Sequence, residues 1–534
     1  MIVWYGMLLL ETMMKPHFET TGRIVVIGIV LVGFYLRVVN VFDQTPVNID
    51  DMYYTSWPRD MVSAHNFFPM QHKPLWQLMV AVGYVFLGNH LFVAPLLSVF
   101  FGTLTIATLY RLGCRLFGET NALYAAALSA SLLTYIHLSR WSQAQMTAMF
   151  FLLAATALYE EGLLDRRHRL IYLLLAGLFA GTTLVVYPLY VAICILLVFW
   201  EVLVIAAKWR QSGGIRLYMF TRLSILTGGM AMVLILPEIV TRWARAAGVA
   251  RDSWIGGIYL DLWMGSAGAP FEGWEQRLLA GGPDFLRYWR ILEAYEGSIV
   301  PFALVLSTGF MAIRAWRCRK GSLWRALGLL LLPIALLHGA LIFQGPGIGG
   351  KYIAILLPGI PLVLAYLIGN VSGAIVFSLG NSTHTPLVFS LLLCTIVSGW
   401  GYWHAKSRIE WSTGHNAAYV AVQDFGPERI YYSTDNFGIW RFYFGGLSNA
   451  FPFSEDELEI LSGGSDRDVL VVSNSGVCSK GSQPPMDVLA GLQTSRLRPI
   501  ATFPAFDYTR SHDIDWAIPS LSGGFCHYVY TFQG

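Results

Sequence analysis

Two adjacent acids, Asp50 and Asp51, stand about ten residues past the first long apolar stretch, in the segment Val47-Asn48-Ile49-Asp50-Asp51-Met52-Tyr53-Tyr54. A carboxylate held near a membrane face is a candidate base for a substrate hydroxyl, a role that contributes about 10² to 10⁴ in rate. Ionisable and aromatic groups crowd the same stretch: Tyr54, Arg59, Asp60, His65, His72 and Lys73. Two other readings stay open. Asp51 also suits the N-terminus of a helix expected to begin at Met52, where an acid satisfies free N–H groups and the dipole. His65 and His72 with the two acids form a possible divalent-cation set, because His and carboxylate suit zinc or manganese, although their spacing is not diagnostic. Hydrogen bonding at an interface explains the histidines equally simply.

The elements that must position these groups are membrane helices. The chain has 534 residues, 55% of them hydrophobic and only 13% charged, with a mean hydropathy of +0.53. A water-soluble domain carries about a quarter charged residues, so the composition excludes that class. A net charge of +3 and the absence of a separate basic tract give no footprint for nucleic acid. Apolar runs long enough to cross a hydrocarbon core of about 30 Å recur near 22–41, 91–111, 120–138, 143–160, 170–187, 188–207, 222–239, 297–315, 325–344, 352–370 and 386–404. No repeat of the inverted-topology kind and no phosphate-cradling glycine loop accompanies them.

Basic residues orient the spans. Arg111 and Arg115, then Arg166, Arg167 and Arg169, then Lys208, Arg210, Arg216 and Arg222, then Arg314, Arg317, Arg319, Lys320 and Arg325 fall in alternate connections. The positive-inside bias assigns those connections to the cytoplasm. About eleven spans follow, in a multi-pass protein of the cell inner (plasma) membrane, with the N-terminus inside and the C-terminus outside. The first span shows no small-residue cleavage site and is expected to be retained.

Residues 1–404 form the expected transmembrane domain, with outer loops at 42–90 and 240–296. Met52–His65 and Leu75–Gly88 are expected as interfacial helices, aromatic faces down; an alternative extends Leu75–Gly88 into the following span. The loop 240–296 is rich in Trp and Tyr, which suits an interfacial belt and also a cover over an acceptor site. Residues 405–534 are expected as a small extracytoplasmic α/β domain, with strands near 429–432, 469–472 and 527–530 and a short helix at 486–492. It holds Cys478 and Cys526, which an oxidising compartment would allow either to pair or to remain free.

An ordered set of motifs carries a resemblance. It runs from Phe34-Tyr35-Leu36-Arg37 through Asp50-Asp51-x-x-Tyr54, Lys73-Pro74-Leu75, Phe86-Leu87-Gly88, Tyr110-Arg111-Leu112, Arg115-Leu116-Phe117-Gly118 and Arg140 to Gly350-Lys351-Tyr352 ahead of Leu356-Leu357-Pro358. Their order and spacing over residues 22–370 resemble the GT-C glycosyltransferases related to protein O-mannosyltransferases and aminoarabinose transferases. The resemblance implies a GT-C fold, in which the acid at the Asp50 position is catalytic. Its usual neighbour is Glu, whereas Asp51 stands here, and an acid often found at the Gln145 position is missing.

The activity expected is transfer of a sugar from a polyprenyl-phosphate carrier to an acceptor hydroxyl on the outer face, with inversion. The scissile bond of such a donor lies at headgroup height, level with an interfacial carboxylate. Asp50 is the expected base, supported by Asp51. Lys73, Arg140 and Lys351 are expected to hold the lipid phosphate, since preorganised cations stabilise the departing anion; snorkelling toward headgroups is the structural alternative for each. Tyr54, Arg59, His72 and Tyr352 are expected substrate contacts. The acceptor is a protein, lipid or glycan, and a divalent cation is a possible cofactor. The competing class is a transporter or flippase for a lipid-linked or anionic substrate, which calls for ionisable groups near mid-membrane.

Overall fold

The computed structural model describes residues 20–39, 41, 49–63, 65, 73–88, 90, 92–187, 190–209, 216–248, 289, 292–293, 296–344, 354–378, 392, 396, 413–433, 448–453, 465–475, 497–506 and 524–532. Helices α1 (Thr20–Val38), α4 (Val93–Phe117), α5 (Glu119–Ser131), α7 (Gln145–Leu164), α8 (Arg169–Val186), α9 (Val191–Trp209), α10 (Arg216–Ala246), α11 (Ile299–Cys318), α12 (Gly321–Gln344) and α13 (Ile360–Ser378) occupy the places of the first ten expected spans. The expected span at 386–404 lies outside the described residues, apart from helical positions 392 and 396. Five of these helices are long and apolar enough to cross a membrane by length and composition alone. Large apolar side chains face outward on α1, α10 and α11, among them Leu31, Leu236 and Phe302, as a lipid-embedded surface requires. The protein is a multi-pass membrane protein.

The bundle packs α7 on α8, α8 on α10, α4 on α5 and α7, and α5 on α13. Close approach of α8 and α10 depends on glycine. A Cβ at Gly177 would lie 2.2 Å from the Leu226 carbonyl oxygen, and one at Gly229 2.7 Å from that of Leu174. Small residues at such crossings let the backbones meet and van der Waals contact accumulate where lipid gives no hydrophobic drive.

One expected span is broken. Residues 120–138 form α5 and a separate short helix, α6 (Leu133–Leu138), because Leu132 adopts an extended ψ of 128°. The Glu296 carboxylate accepts the N–H groups of Leu133 at 3.1 Å and Thr134 at 2.7 Å, satisfying two of the donors that the break exposes.

Near this break α1 is riveted to the bundle. Arg37 is fully buried and makes four hydrogen bonds: Nε to Ser139 Oγ at 3.1 Å, Nη1 to the carbonyls of Gly33 at 2.9 Å and Ala130 at 3.0 Å, and Nη2 to that of Ser129 at 2.6 Å. Gly102 of α4 leaves room for the rivet, since a Cβ there would lie 2.2 Å from Ser139 Oγ.

The stretch 42–90, expected as the first outer loop, contains α2 (Ile49–Ser63) and α3 (Pro74–Leu87), which pack on each other. The α2 helix starts three residues before the expected Met52, so Asp50 and Asp51 stand within its first turn. The expected orientation, aromatic faces toward lipid, is corrected in part. Trp76 and Tyr84 of α3 are buried with Gln77, Val80 and Ala81, whereas Val82, Val85 and Phe86 are exposed. Buried positions 77, 80, 81 and 84 share one helical face, and it is the polar-edged face that meets protein. On α2, Thr55 and Arg59 are buried beside Met61. The α3 helix ends at Gly88 (φ +83°) and does not extend into α4.

The C-terminal part contains α14 (Thr413–Phe425) and strands β1 (Ile430–Ser433), β2 (Ala450–Phe453), β3 (Val469–Ser475), β4 (Leu497–Phe506) and β5 (Gly524–Phe532). The sheet order is β2-β1-β3-β5-β4, with β2, β1 and β3 parallel and β5 antiparallel to both neighbours. Ile430 pairs with Val469 and Val471 with Val529, and α14 packs on β4 and β5. The three expected strands fall in β1, β3 and β5. Strands β2 and β4 and helix α14 were not expected; β2 and β4 contain prolines and lie at the sheet edges, where a missing donor is tolerated. The side chains of Cys478 and Cys526, the helix expected at 486–492 and most of 240–296 lie outside the described residues.

Replacing Arg37 by Met is expected to remove about 3–5 kcal/mol of stability, since it strands buried carbonyls. Lys at this position should recover only part, because it lacks the guanidinium fork. Thermal unfolding in detergent measures both; an unchanged midpoint for Met would defeat the assignment.

Candidate functional site

The rivet at Arg37 fixes the end of α1. Immediately after it, Arg140 Nη2 donates to the Val39 carbonyl at 2.7 Å. Arg140 is itself buried, its pKa pushed down to about 10 by loss of water. Among the described residues no carboxylate pairs with it. A desolvated guanidinium without a counter-ion favours an anionic partner, and it stands against the segment that leads to Asp50 and Asp51.

Lys73 is also buried rather than snorkelled. It sits in the left-handed region (φ 47°, ψ 57°) just ahead of Pro74. A non-glycine residue seldom adopts this conformation, and it does so where surrounding structure fixes it. The Pro74 ring helps: at the first helical position it needs no N–H and presets φ for α3. The ammonium lies 5.0 Å from the centre of the Tyr187 ring, a cation–π distance. Tyr187 packs edge-on against Tyr190 at 5.8 Å, and Tyr190 Oη donates to the Ala354 carbonyl at 2.9 Å. Tyr135 Oη of α6 donates to the carbonyl of Leu357. Residues 354–357 are therefore fastened to Tyr135 and Tyr190, and Tyr190 in turn packs on the ring that Lys73 faces. Lys351 and Tyr352 lie outside the described residues, and Lys351 is within about 10 Å of chain from Ala354.

Arg59 of α2 lies over the Tyr84 ring of α3 at 5.7 Å, and Tyr84 Oη donates to the Thr55 carbonyl at 3.4 Å. Burial pushes the Tyr84 phenol up to about 12, with Arg59 opposing the shift. The same guanidinium acts on Tyr419 of α14, whose phenol burial also raises. Arg59 thus links α2 to α3 and reaches toward the C-terminal part. It joins the two helices through the Tyr84 ring.

Of the sequence-predicted residues, Arg140 bonds the Val39 carbonyl, Lys73 stands just ahead of α3 against the Tyr187 ring, and Arg59 lies on α2. The side chains of Asp50, Asp51 and Tyr54 and all of His72 lie outside the described residues; His65 is exposed, in the left-handed region (φ 52°). Among the described residues no group of three or more His, Cys, Asp and Glu is placed to hold a metal ion. Sequence reasoning missed Tyr135, Tyr187, Tyr190 and Glu296. The first three are tyrosines within or just after apolar runs, and their position relative to Lys73 is a tertiary fact.

The opposite end has different chemistry. Glu161 pairs with Arg115 at 2.7 Å and Arg111 at 3.1 Å, and Glu201 with Arg222 at 2.7 Å, with Tyr159 Oη donating to Glu201 at 3.2 Å. Glu160 holds Arg325 through both nitrogens of its fork, one at 2.8 Å. Arginines that the sequence offers as topology signals are here also the partners of buried glutamates.

This arrangement, with two outer-loop helices laid against one end of the bundle, is the GT-C fold. The structure of ArnT from Cupriavidus metallidurans bound to undecaprenyl phosphate superposes with a TM-score of 0.53 at 14% identity, covering 95% of this chain and 98% of that one. An oligosaccharyltransferase from Archaeoglobus fulgidus, tethered to an acceptor peptide, superposes with a TM-score of 0.51 at 12% identity over 81% of this chain. The present chain spans only 64% of that protein's length. Residues 71–247 match the family described as dolichyl-phosphate-mannose-protein mannosyltransferase. No curated protein matches in sequence. The chain therefore has the GT-C fold and, over residues 71–247, a sequence similar to the protein mannosyltransferase family.

Glu296→Ala is expected to cost about 1–3 kcal/mol by leaving the Leu133 and Thr134 N–H groups unpaired. Glu296→Gln, which keeps an acceptor oxygen, should lose less. Equal losses in thermal unfolding for the two variants would contradict the capping role.

Proposed function

We propose that this protein is a glycosyltransferase that moves a sugar from a polyprenyl-phosphate carrier to an acceptor hydroxyl on the outer face of the membrane, inverting the anomeric centre. The observation that carries the reading is the burial of two cations, Lys73 against the Tyr187 ring and Arg140 on the Val39 carbonyl. Two desolvated cations suit a lipid-borne phosphate diester before transfer and the phosphate anion released by it. The match to mannosyltransferases over residues 71–247 and the undecaprenyl phosphate bound by the ArnT relative support the choice of carrier.

In this mechanism the Asp50 carboxylate takes the proton of the acceptor hydroxyl. The hydroxyl oxygen attacks the anomeric carbon, the bond from that carbon to the phosphate oxygen breaks, and the lipid phosphate leaves as an anion. No acid is needed for a leaving group that is already a stable anion, in contrast to glycoside hydrolysis. Lys73 and Arg140, with Lys351 from the segment fastened by Tyr135 and Tyr190, hold the phosphate. Asp51, one position further along the first turn of α2, supports Asp50. Tyr54, His72 and Tyr352 contact the substrate, and a divalent cation, if used, would draw on Asp50, Asp51 and His72.

The transporter reading has less support. It calls for ionisable groups along a path through mid-membrane, whereas Glu160, Glu161 and Glu201 are tied to arginines at one end of the bundle.

Reconstituted protein supplied with a panel of polyprenyl-phosphate sugars should consume one of them. Asp50→Asn should lower that rate by at least about 10²-fold with folding intact. A variant as fast as wild type would remove Asp50 as the base, and a product with retained anomeric configuration would remove direct displacement.

A further inference from the structure

The turn after Arg140 holds a second, neutral polar site that phosphate binding does not use. Helix α7 begins at Gln145, and its N-cap, Ala144, provides no side-chain cap to the free N–H groups of the first turn. Around that end Ser142, Gln143 and Thr147 have no measurable exposure, and Gln145 is 1% exposed. Ser142 Oγ, Gln143 Nε2 and Thr147 Oγ1 have no hydrogen-bond partner among the described residues. Gln145 Nε2 donates to Gln143 Oε1, which holds one amide against the other and leaves the Gln143 NH₂ to spare. The Gln143 carbonyl is fixed from the other side by Ser98 Oγ at 3.0 Å.

Three orphaned polar side chains at one helix end are too many to be incidental. Buried polar groups are almost always paired, and each left unpaired costs about 1–3 kcal/mol. The site is rigid, since α7 is a long buried helix and Ser98 pins its entry. It calls for a ligand rich in groups that both donate and accept.

Hydroxyl and amide groups of this kind match the hydroxyls of a sugar ring. They do not match an ammonium group. Among the described residues no Asp or Glu bonds to Ser142, Gln143, Gln145 or Thr147, the α7 N-terminus presents the positive end of its dipole, and the Arg140 guanidinium precedes Ser142 by two residues. Among the described residues around this helix end, a cation would meet only like-signed fields.

We infer that Ser142, Gln143, Gln145 and Thr147, at the N-terminus of α7, form a subsite for the hydroxyls of an uncharged sugar and reject a sugar that carries an ammonium group. The inference rests on the glycosyltransferase reading and deepens it by naming the class of sugar. The ring belongs either to the donor or to a glycan acceptor, and the shared chemistry is the same.

Full-length protein in nanodiscs tests it by titration with undecaprenyl phosphate, undecaprenyl-phosphate mannose and undecaprenyl-phosphate 4-amino-4-deoxyarabinose. A second arm adds methyl α-mannoside to protein saturated with undecaprenyl phosphate. The mannosyl group is expected to tighten binding about tenfold over the bare carrier if the donor sugar occupies the subsite. If the acceptor occupies it, methyl mannoside binds instead. Thr147→Val, nearly isosteric, and Gln143→Leu should each remove most of that gain while leaving affinity for undecaprenyl phosphate, which also reports folding. The aminoarabinosyl carrier should show no gain with wild type, and Ser142→Asp should confer one. A gain for the ammonium sugar equal to that for mannose, a gain that survives both substitutions, or no gain in either arm overturns the inference alone. Failure of wild type to bind undecaprenyl phosphate overturns the underlying reading, and the inference with it.

Discussion

A guanidinium buried without a carboxylate governs this molecule's working end. Arg37 is removed from water and is made tolerable by four acceptors, three of them backbone carbonyls from α1 and α5. Such a group is stable only where its whole fork is satisfied, so it admits one relative placement of α1, α4, α5 and the turn after α6. Two residues on, the Val39 carbonyl takes a bond from Arg140. The end of α1 and the turn that leads to α7 are therefore locked together, and the neutral polar site at that turn inherits its position from the lock.

The two ends of the bundle then divide their charge in opposite ways. At one, glutamates on α7 and α9 are matched by arginines from α4, α10 and α12, which neutralises buried charge and ties helices together. At the other, Lys73 rests on the face of Tyr187, and Arg140 on a carbonyl that orients its guanidinium without cancelling the charge. Uncancelled buried charge is costly. A site that must receive a phosphate has a reason to carry that cost, because the ligand supplies the missing anion. The backbone of Lys73, held in the left-handed region ahead of Pro74, shows the same economy at the level of one residue.

How far the sequence revealed this depends on the range of the physics. Spans were legible because lipid imposes a length and a composition on each helix independently, and α1, α4 and α7 through α13 fall where the apolar runs put them. Strands β1, β3 and β5 were legible as short β-branched and aromatic runs, while β2 and β4 were obscured by Pro452, Pro499 and Pro504, which only an edge position permits. The break at Leu132 had no local sign. Its partner is Glu296, more than 160 positions along the chain, and no pattern within a helix's length reports such a contact. The face of α3 was misjudged for a related reason: Trp76 and Tyr84 suit lipid and protein equally, and Arg59 on a neighbouring helix decided for Tyr84.

Taken alone, the sequence determined that the chain crosses a membrane repeatedly, which connections are basic, and that acids and cations recur in an order resembling the GT-C enzymes. These follow from composition and local spacing, which each segment carries by itself. Tertiary structure alone decided that Lys73 and Arg140 are buried rather than snorkelled, that Tyr190 and Tyr135 fasten residues 354–357, and that Ser142, Gln143 and Thr147 lie buried with polar atoms to spare. Desolvation is a property of a place in the fold, and it is desolvation that turns an ordinary arginine or glutamine into a group that demands a ligand.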